Sequence, residues 1–415
     1  MMISFDYDEY ICVMFPYPSG SGLHIGHVYN YAIIDSYCRY LRYIGKSVFQ
    51  PFGYDAFGLP AENYARQVGR EPREVTYENI EKFRKQMQTM NTQYEELLVT
   101  SDESYQEYTK WIFTKLHEKG LAYKKMGDVN YCNSCETVLA REQVKDGKCE
   151  RCESNVETKQ LEQWYFKITD YKDRLIAGLD NIDYPEKTKK AQRVWLEKLH
   201  DWCVSRQRKW GCPIPIEGET DTLDTFVDSS FYYIIYCIIK EIKPRPVDLY
   251  VGGNEHACMH LIYARFICMF LHDIGFIDFD EPFKKVIHQG MILKDSEKMS
   301  KSKGNTINPD KYDSRELRFY LMFLGHYFDG GSWSDQNLIG IRRFIYKWDK
   351  WMSEDGCDAI DISGFKQEIF TYTENFKFNK VVSSFMIFMN MYKHKKLDSE
   401  TRKQLTELLN IYMPL

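Results

Sequence analysis

The sequence lacks any run of 18 or more apolar residues, so it has no segment of the length that crosses a bilayer as a helix. Residues Met1 to Tyr10 lack the basic region and the following apolar region of a secretory or transit signal. Internal repeats and low-complexity tracts are also missing. We therefore predict a cytoplasmic protein without a membrane anchor, whose twelve cysteines are reduced thiols.

Neither sign of charge dominates the composition. The 415 residues carry a formal net charge of −5, with 28% charged and 44% hydrophobic residues. This is ordinary for a globular protein, and the length allows two or three domains with a sizeable core. A balance this close to neutral neither supports nor excludes a nucleic-acid partner, because a basic face can lie on an acidic protein.

The first fifty residues have the pattern of a strand, a turn, a helix and a second strand. We predict a buried strand over Tyr10–Met14, a Gly/Ser-rich turn over Ser19–Gly22, a helix over Ile25–Tyr43 and a strand over Ser47–Phe52. Such a βαβ unit implies parallel strands. The predicted class is therefore α/β, with a split Rossmann-type catalytic sheet.

The rest of the chain is predicted to interrupt and then complete this sheet. An amphipathic helical pattern covers Thr76–Lys119, and mixed strand and helix patterns return over Phe226–Phe276. The predicted division is 1–120 first half of the catalytic domain, 121–165 zinc-binding insert, 166–200 connective segment, 201–327 second half, and 328–415 helical bundle. The bundle helices are predicted at Asn337–Met352, Phe365–Phe376, Lys380–Tyr392 and Ser399–Ile411.

His24 and His27 follow the Gly/Ser turn within the string His-Ile-Gly-His. Backbone N–H groups at a helix start favour an anion such as a triphosphate, and imidazoles there can donate hydrogen bonds to phosphate oxygens. Gly26 between them lets a nucleotide approach the backbone closely. The alternative is a pair of ordinary capping histidines.

Lys298 and Lys301 lie three residues apart in the string Lys-Met-Ser-Lys-Ser. Two lysines on a loop can bind a triphosphate and neutralise the charge that develops as pyrophosphate leaves. The alternative is a solvated lysine loop, which is what most charge runs are.

Four cysteines form two CxxC pairs, Cys132/Cys135 and Cys149/Cys152, separated by thirteen residues. This spacing can close a tetrahedral four-thiolate Zn²⁺ site, which would be structural because it leaves no open coordination position. The alternatives are a redox dithiol or unliganded thiols.

The histidine and lysine strings resemble the two signature motifs of class I aminoacyl-tRNA synthetases, and further segments resemble the leucyl enzymes in particular. These segments are Phe15–Gly20, Gly53–Glu62, Trp202–Arg208, Asp224–Phe226 and Gly252–His256. The resemblance covers the chain from about Tyr10 onward. It implies ATP-dependent activation of leucine with ATP, Mg²⁺ and Zn²⁺ as cofactors.

The resemblance also implies roles for individual residues. His24, His27, Lys298 and Lys301 would be catalytic, and Asp55 would hold the ammonium group of leucine. The leucine pocket would be lined by Met14, Phe15, Tyr17, Phe226, Tyr250 and His260, for which plain core packing is the alternative. The nucleotide would be bound by Gly26, Gly252, Gly253, Glu255, His256, Met291 and Ile292.

A competing interpretation makes His256 and His260 zinc ligands, because they are four residues apart on one helical face. The zincin pattern requires Glu directly after the first histidine, whereas Ala257 stands there. We favour the nucleotide-binding interpretation.

Leucyl enzymes typically carry an editing domain before the Trp-x-Val-Ser-Arg-Gln-Arg segment. Here Trp195 is followed almost at once by Trp202, which leaves no room for one. The leucine-specific insert before the lysine string is also missing, and the bundle ends early at Leu415. Without a second site that hydrolyses errors, we expect leakage with isoleucine-like or norvaline-like substrates, since one methylene changes binding by about 1–3 kcal/mol.

Two acceptors remain open. In the first interpretation a monomeric enzyme transfers leucine to the acceptor stem of tRNA, which would contact Lys187, Lys189, Lys190, Arg193, Arg206, Arg208 and Lys209. In the second, a paralogue transfers the amino acid to a carrier protein, a peptide or a small molecule.

Overall fold

The computed structural model describes residues 4–18, 22–139, 143–150, 152–295, 297–299 and 305–414, without the side chains of Pro60 and Lys298. The predicted catalytic Lys301 therefore lies outside the described residues, and so does the side chain of Lys298. Within these ranges no helix combines the length and the apolar character needed to cross a membrane. The twelve cysteines all lie in these ranges and form no disulfide bonds.

The first quarter of the chain alternates strands and helices. Its elements are β1 (Glu9–Val13), α1 (Ile25–Tyr43), β2 (Val48–Phe49), β3 (Pro51–Tyr54), α2 (Leu59–Val68), α3 (Pro72–Thr89), β4 (Glu95–Val99) and α4 (Glu103–Glu118). The prediction of one helical segment from Thr76 to Lys119 was wrong at β4, which pairs in parallel with β3. Leu98 and Val99 are buried by this pairing, so tertiary contact overrides the local helical pattern.

A long antiparallel hairpin carries the cysteines. Its elements are β5 (Ala122–Cys132), β6 (Thr137–Leu139), β7 (Val144–Lys145), β8 (Lys148–Cys149) and β9 (Val156–Phe166). After it come α5 (Lys172–Gly178), α6 (Glu186–Glu197) and β10 (Trp202–Cys203), and β10 adds to the edge of β9. The four residues between α6 and β10 are therefore the whole connection at this point of the chain.

The second half of the catalytic region returns to the central sheet. Its elements are β11 (Ser205–Arg206), β12 (Thr222–Leu223), α7 (Thr225–Ser229), α8 (Tyr232–Ile239), β13 (Leu249–Val251), α9 (His260–Asp273), β14 (Val286–Ile287), β15 (Met291–Lys294), β16 (Glu297–Lys298), α10 (Ser314–Phe323) and β17 (Gly330–Ser332). The central sheet has the parallel order β14–β13–β1–β2. The predicted α/β class is confirmed.

Successive residues of β1 enter two different cores, as the two-residue period of a strand requires. Ile11 and Val13 join one core with α1 and α10. Tyr10 and Cys12 join a second core with α4, α8 and α9. The sheet is therefore covered by helices on both faces.

Four helices complete the chain and pack on the first of these cores. They are α11 (Asp335–Ser353), α12 (Ser363–Glu374), α13 (Phe378–Tyr392) and α14 (Ser399–Tyr412), close to their predicted positions. The guanidinium group of Arg318 on α10 lies buried among them and donates to the carboxylate of Asp35 on α1 (2.8 Å) and to the carbonyl oxygen of Tyr412 (3.3 Å). Helix α1 is thus shared by the sheet and the helical bundle.

Candidate functional site

The carboxyl ends of β1 and β13 lie side by side where the chain order of the sheet reverses. In open α/β sheets such a switch point is where ligands bind. The backbone N–H of Met14 donates to the carbonyl oxygen of Val251 (2.8 Å), which places the segment after β1 against the glycines after β13. A Cβ atom on Gly252 would lie 2.0 Å from the sulfur of Met14, so a larger residue there would displace the Met14 side chain.

The histidine turn begins α1 immediately beyond this point. His24 is the N-cap, and its Nδ1 accepts from the N–H of Gly26 (3.0 Å), while Nδ1 of His27 accepts from the N–H of His24 (3.3 Å). The two rings stack with centroids 3.9 Å apart. Because both Nδ1 atoms accept, each neutral ring carries its proton on Nε2, where it can serve as a donor.

The segments on both sides of the lysine string lie against this turn. The N–H of Ile25 donates to the carbonyl oxygen of Ile307 (3.3 Å), and Met299 is buried in the same core as Ile25. Lys298 pairs through its backbone with Leu293 in the β15–β16 hairpin. The two motifs, far apart in sequence, therefore meet in space through their neighbours.

The adjacent strand β15 carries the two residues predicted to contact adenine. Met291 is exposed and Ile292 is buried, and the strand pairs in parallel with β17 on its other side. The backbone of Met291 is aligned with Gly330 across this pair. The exposed position of Met291 is compatible with contact to a ligand.

Asp55 lies after β3 with only 1% of its surface exposed. Its Oδ1 accepts from the hydroxyl of Thr225 (2.9 Å), Tyr17 also hydrogen-bonds its carboxyl group, and its N–H donates to the carbonyl oxygen of Pro16 (3.0 Å). Burial raises the pKa of Asp55 to about 8, with a smaller contribution from the charge of Asp224. A cation that entered this pocket would compensate a carboxylate whose ionised form is otherwise unfavourable.

Two more buried carboxyl groups stand near Asp55. Asp224 pairs with the guanidinium of Arg206 (2.7 Å), and both side chains are almost completely buried. Asp228 accepts from the hydroxyl of Thr109 (2.8 Å), and its Oδ2 has no hydrogen-bond partner. Burial, reinforced by the charge of Asp55, holds the pKa of Asp228 well above its usual range. The pocket is therefore rich in carboxyl groups, of which Asp55 and Asp228 favour the neutral, protonated form in the absence of a cation.

An aromatic hydrogen-bond chain forms the wall beneath β1. The hydroxyls of Tyr232 and Tyr250 are 2.5 Å apart, and the Tyr250 hydroxyl lies 2.5 Å from Nε2 of His260. The ring of Phe15 stacks on Tyr232 at 3.9 Å. Burial, with the neighbouring His256, lowers the pKa of His260 to about 3, so the imidazole is neutral. The ring of Phe226 is buried, with its centroid 5.9 Å from that of Tyr263.

The segment after β13, which was predicted to bind the nucleotide, forms one side of the crevice. A Cβ atom on Gly253 would lie 2.2 Å from Oε2 of Glu255, whose side chain is exposed. His288 donates from Nδ1 to the carbonyl oxygen of Gly252 (2.8 Å), and its Nε2 lies 2.8 Å from the hydroxyl of Thr188. His256 and His260 have ring centroids 6.0 Å apart, perpendicular to each other.

Thr225, Tyr232 and His288 were not assigned from the sequence. Thr225 is part of the Asp-Thr-Phe segment that carries the resemblance, so that motif could have indicated it. Tyr232 and His288 belong to no pattern, and only the fold shows that they adjoin the pocket.

The four cysteine thiols of the hairpin converge. Their sulfur atoms all lie within 4.8 Å of one another, and the Sγ atoms of Cys132 and Cys152 are 3.4 Å apart. Tetrahedral Zn–S bonds of about 2.3 Å require sulfurs about 3.8 Å apart, so this donor set fits Zn²⁺. Leu59 of α2 packs against the cysteines and attaches the insert to the catalytic region.

Two of the basic residues expected to contact an acceptor stem are instead inside the protein. Arg206 is committed to its ion pair with Asp224. Arg208 is buried beside Glu62, with 3.9 Å between Nε and the carboxylate, and burial lowers its pKa to about 10. Arg193 pairs with Asp180 on the surface. The expectation for Arg206 and Arg208 was wrong, because both guanidinium groups are buried: Arg206 pairs with Asp224, and Nε of Arg208 donates to the hydroxyl of Thr137 (3.3 Å).

Comparison with known proteins gives a consistent result. The family described as tRNA synthetases class I (I, L, M and V) matches residues 6–241 and 217–333. The leucine–tRNA ligase of Clostridium botulinum is 32% identical over 81% of this chain and 73% of its own length, and that of Clostridium kluyveri is 30% identical over 94% and 82%.

Solved structures share the fold. The Agrobacterium radiobacter K84 agnB2 LeuRS in ternary complex with tRNA and LeuAMS superposes with a TM-score of 0.87, at 24% identity, over 99% of this chain and 85% of that one. Mycobacterium tuberculosis methionyl-tRNA synthetase with methionyl-adenylate gives a TM-score of 0.77, at 18% identity, over 98% and 91%. At these identities the likeness establishes the fold alone.

Proposed function

The chain belongs to the leucine–tRNA ligases of the class I tRNA synthetase family and is therefore an aminoacyl-tRNA ligase, and on this premise we propose that it activates leucine in the crevice between β1 and β13. Asp55 carries the proposal. Its buried carboxyl group, which accepts hydrogen bonds from Tyr17 and Thr225, would pair with the ammonium group of the amino acid.

The proposed reaction is in-line attack of the leucine carboxylate oxygen on the α-phosphorus of ATP. A P–O bond to leucine forms as the bond to pyrophosphate breaks, and no general base is needed because the carboxylate is already ionised. Nε2–H donors on His24 and His27 stabilise the phosphate oxygens, as do Lys298 and Lys301. Mg²⁺ enters with ATP and supplies charge neutralisation on its phosphates.

Binding of the nucleotide is assigned to the segments around the two motifs. Gly26 and the glycine pair Gly252 and Gly253 leave room for ribose and phosphate, and Glu255 with His256 faces the ribose. The backbone of Met291 and Ile292 reads the adenine edge. The leucine side chain lies against Met14, Phe15, Tyr17, Phe226, Tyr250 and His260.

A single assay pair tests this function. Leucine-dependent ATP–pyrophosphate exchange should be strong, and labelled leucine should then appear on tRNA. If no amino acid supports exchange, the proposed activation is wrong. Exchange without any charging of tRNA would instead point to a carrier protein or a small-molecule acceptor.

A cleft of about 1160 Å³ supports tRNA as the acceptor. It lies between the β5–β9 hairpin and α6, and Lys125, Lys190 and Lys198 line it together with aromatic side chains. Its floor is Trp202 stacked on Tyr263 at 3.8 Å, and Tyr263 is also a neighbour of Phe226 in the predicted leucine pocket. Cations interleaved with aromatic rings suit a single-stranded RNA end.

The lysines of this cleft give the matching experiment. Lys190→Glu combined with Lys198→Glu should raise KM for tRNA by about tenfold or more, because phosphate contacts are lost, and should leave pyrophosphate exchange unchanged. Lys403→Glu on the exposed surface of α14 is the matched control. If the double variant and the control charge tRNA with the same KM as wild type, this cleft does not bind the acceptor.

We further propose that the enzyme does not edit mischarged tRNA. Four residues, Lys198 to Asp201, join α6 to β10. The alignment with the C. botulinum enzyme runs over 590 positions yet contains 81% of these 415 residues, or about 336, so it includes long gaps in this chain. Norvalyl-tRNA should therefore persist with this enzyme. Its rapid enzyme-dependent hydrolysis would contradict the proposal.

Zn²⁺ is proposed to occupy the four-cysteine site as a structural ion. Its role there is to fix the fold of the hairpin tip against α2, since four thiolates fill a tetrahedral coordination shell. The domain boundaries set out from the sequence, a monomeric state and a cytoplasmic location stay predictions.

A further inference from the structure

Two buried side-chain amides project from one face of α3 toward the chain that leads into the histidine turn. Asn79 and Gln86 are seven residues apart, two helical turns, and therefore lie on the same side. Nδ2 of Asn79 donates to the carbonyl oxygen of Pro18 (3.2 Å), and the N–H of Leu23 donates to Oε1 of Gln86 (2.7 Å). Helix α3 thus hydrogen-bonds to the chain at two points before His24, namely Pro18 and Leu23.

Gln86 makes a second contact, to a segment far away in sequence. Its Nε2 donates to Oδ1 of Asp310 (3.0 Å), which follows the lysine string. Gly22, next to Leu23, adopts a φ of +110°, and a Cβ atom there would lie 2.8 Å from Oε1 of Gln86. The chain is therefore closely packed on this amide, and one side chain connects both halves of the proposed ATP site.

We propose that Gln86 is a positioning residue for nucleotide binding, whose amide fixes the spacing between the histidine turn and the segment that carries the lysine string. The chemistry at its two ends is matched: Leu23 offers a donor and Asp310 an acceptor, and the amide of Gln86 presents an oxygen to the first and an N–H to the second. Gln86 acts through these neighbours, not on the reacting atoms. The inference rests on the proposed function, because the nucleotide is the ATP of that reaction.

Variants that swap the amide of Gln86 and the carboxylate of Asp310 test this hydrogen-bonded pair. In Gln86→Glu, two carboxylates face each other, and the dissociation constant for ATP, measured by calorimetry without leucine or tRNA, should rise by about tenfold. Asp310→Asn keeps an acceptor and is the matched control, expected within about twofold of wild type. The double variant restores complementarity, because the carboxylate introduced on α3 can accept both from the N–H of Leu23 and from the amide introduced in place of Asp310. It should bind ATP nearly as well as wild type.

Asp310→Ala provides a variant at an exposed position, where folding is not at risk. It should weaken ATP severalfold and leave the affinity for leucine unchanged. The proposal is overturned if this variant binds ATP like wild type, or if the double variant is no better than Gln86→Glu. Because ATP binding is read directly, this result is separate from the proposed function, which fails if wild-type protein shows no leucine-dependent exchange.

Discussion

Replacing Asp55 by Asn should stabilise the ligand-free protein at neutral pH and at the same time weaken its response to leucine. The carboxyl group is 1% exposed, and burial raises its pKa from 3.8 to about 8. The charge of Asp224 adds to this, whereas hydrogen bonds from Thr225 and Tyr17 oppose it. Ionising such a buried carboxyl group lowers the free energy of unfolding, and a bound ammonium group would offset this loss.

The magnitude follows from the difference in proton affinity. Between pH 3.8 and about 8 the folded chain keeps the Asp55 proton that the unfolded chain has lost. The free energy of unfolding therefore falls as pH rises through this window, by ~1.4 kcal/mol per unit. At pH 7 the accumulated cost is about 4 kcal/mol.

Urea unfolding of both proteins between about pH 5 and about pH 9 measures this cost. The difference in unfolding free energy, Asp55→Asn minus wild type, should increase with pH and become constant above about pH 8. The Asn variant should also need a leucine concentration higher by about tenfold or more in the exchange assay, since a charge-assisted hydrogen bond is lost. A difference that does not change with pH would refute the reasoning.

The remaining predictions concern the pocket, the turn, the metal and the buried ion pair. Wild-type affinity for leucine should rise by about tenfold per pH unit between about pH 6 and about pH 8, because Asp55 must lose its proton first, and calorimetry with leucine alone checks this. His24→Asn keeps an N-cap acceptor, so stability should change by less than about 1 kcal/mol while kcat for exchange falls by about a hundredfold; an equal loss of stability and activity would contradict it. Cys149→Ala should reduce zinc content from about one per chain to near zero and lower the melting temperature, as metal analysis and calorimetry would show. Arg318→Leu removes one of the two guanidinium groups that donate to the buried Asp35, the other being that of Arg39, and should cost about 1–3 kcal/mol by urea unfolding; a change below about 0.5 kcal/mol would contradict this.

Local sequence was sufficient where one motif determined both structure and chemistry. The strand before the Gly/Ser turn and the helix after it follow from hydrophobic periodicity, and the cysteine spacing predicted a convergent set of thiols. The helices after Gly330 were located within a few residues, because each has an apolar stripe against the core.

Long-range pairing was beyond local pattern. Strand β4 has the composition of an amphipathic helix, and only its parallel partner β3 makes it a strand. The contribution of Gln86 is of the same kind, since its neighbours Leu23 and Asp310 are separated from it by 63 and 224 residues. The predicted contact of Arg206 and Arg208 with an acceptor stem failed for a related reason. Both lie in a run of polar residues that is typical of a surface, and only the fold shows that their side chains are buried against other polar groups.

The sharing of α1 between sheet and bundle has a practical consequence. With 19 residues it is a rod of about 28 Å, with the histidine turn at one tip and its flank packed against α10 and α14. Cutting the chain after residue 327 would strip that flank of α14 and α12, and an isolated catalytic fragment would aggregate or melt. Indole fluorescence from Trp348 and Trp351, both buried in the core that contains α1, should therefore lose its native spectrum at the temperature at which ATP ceases to bind.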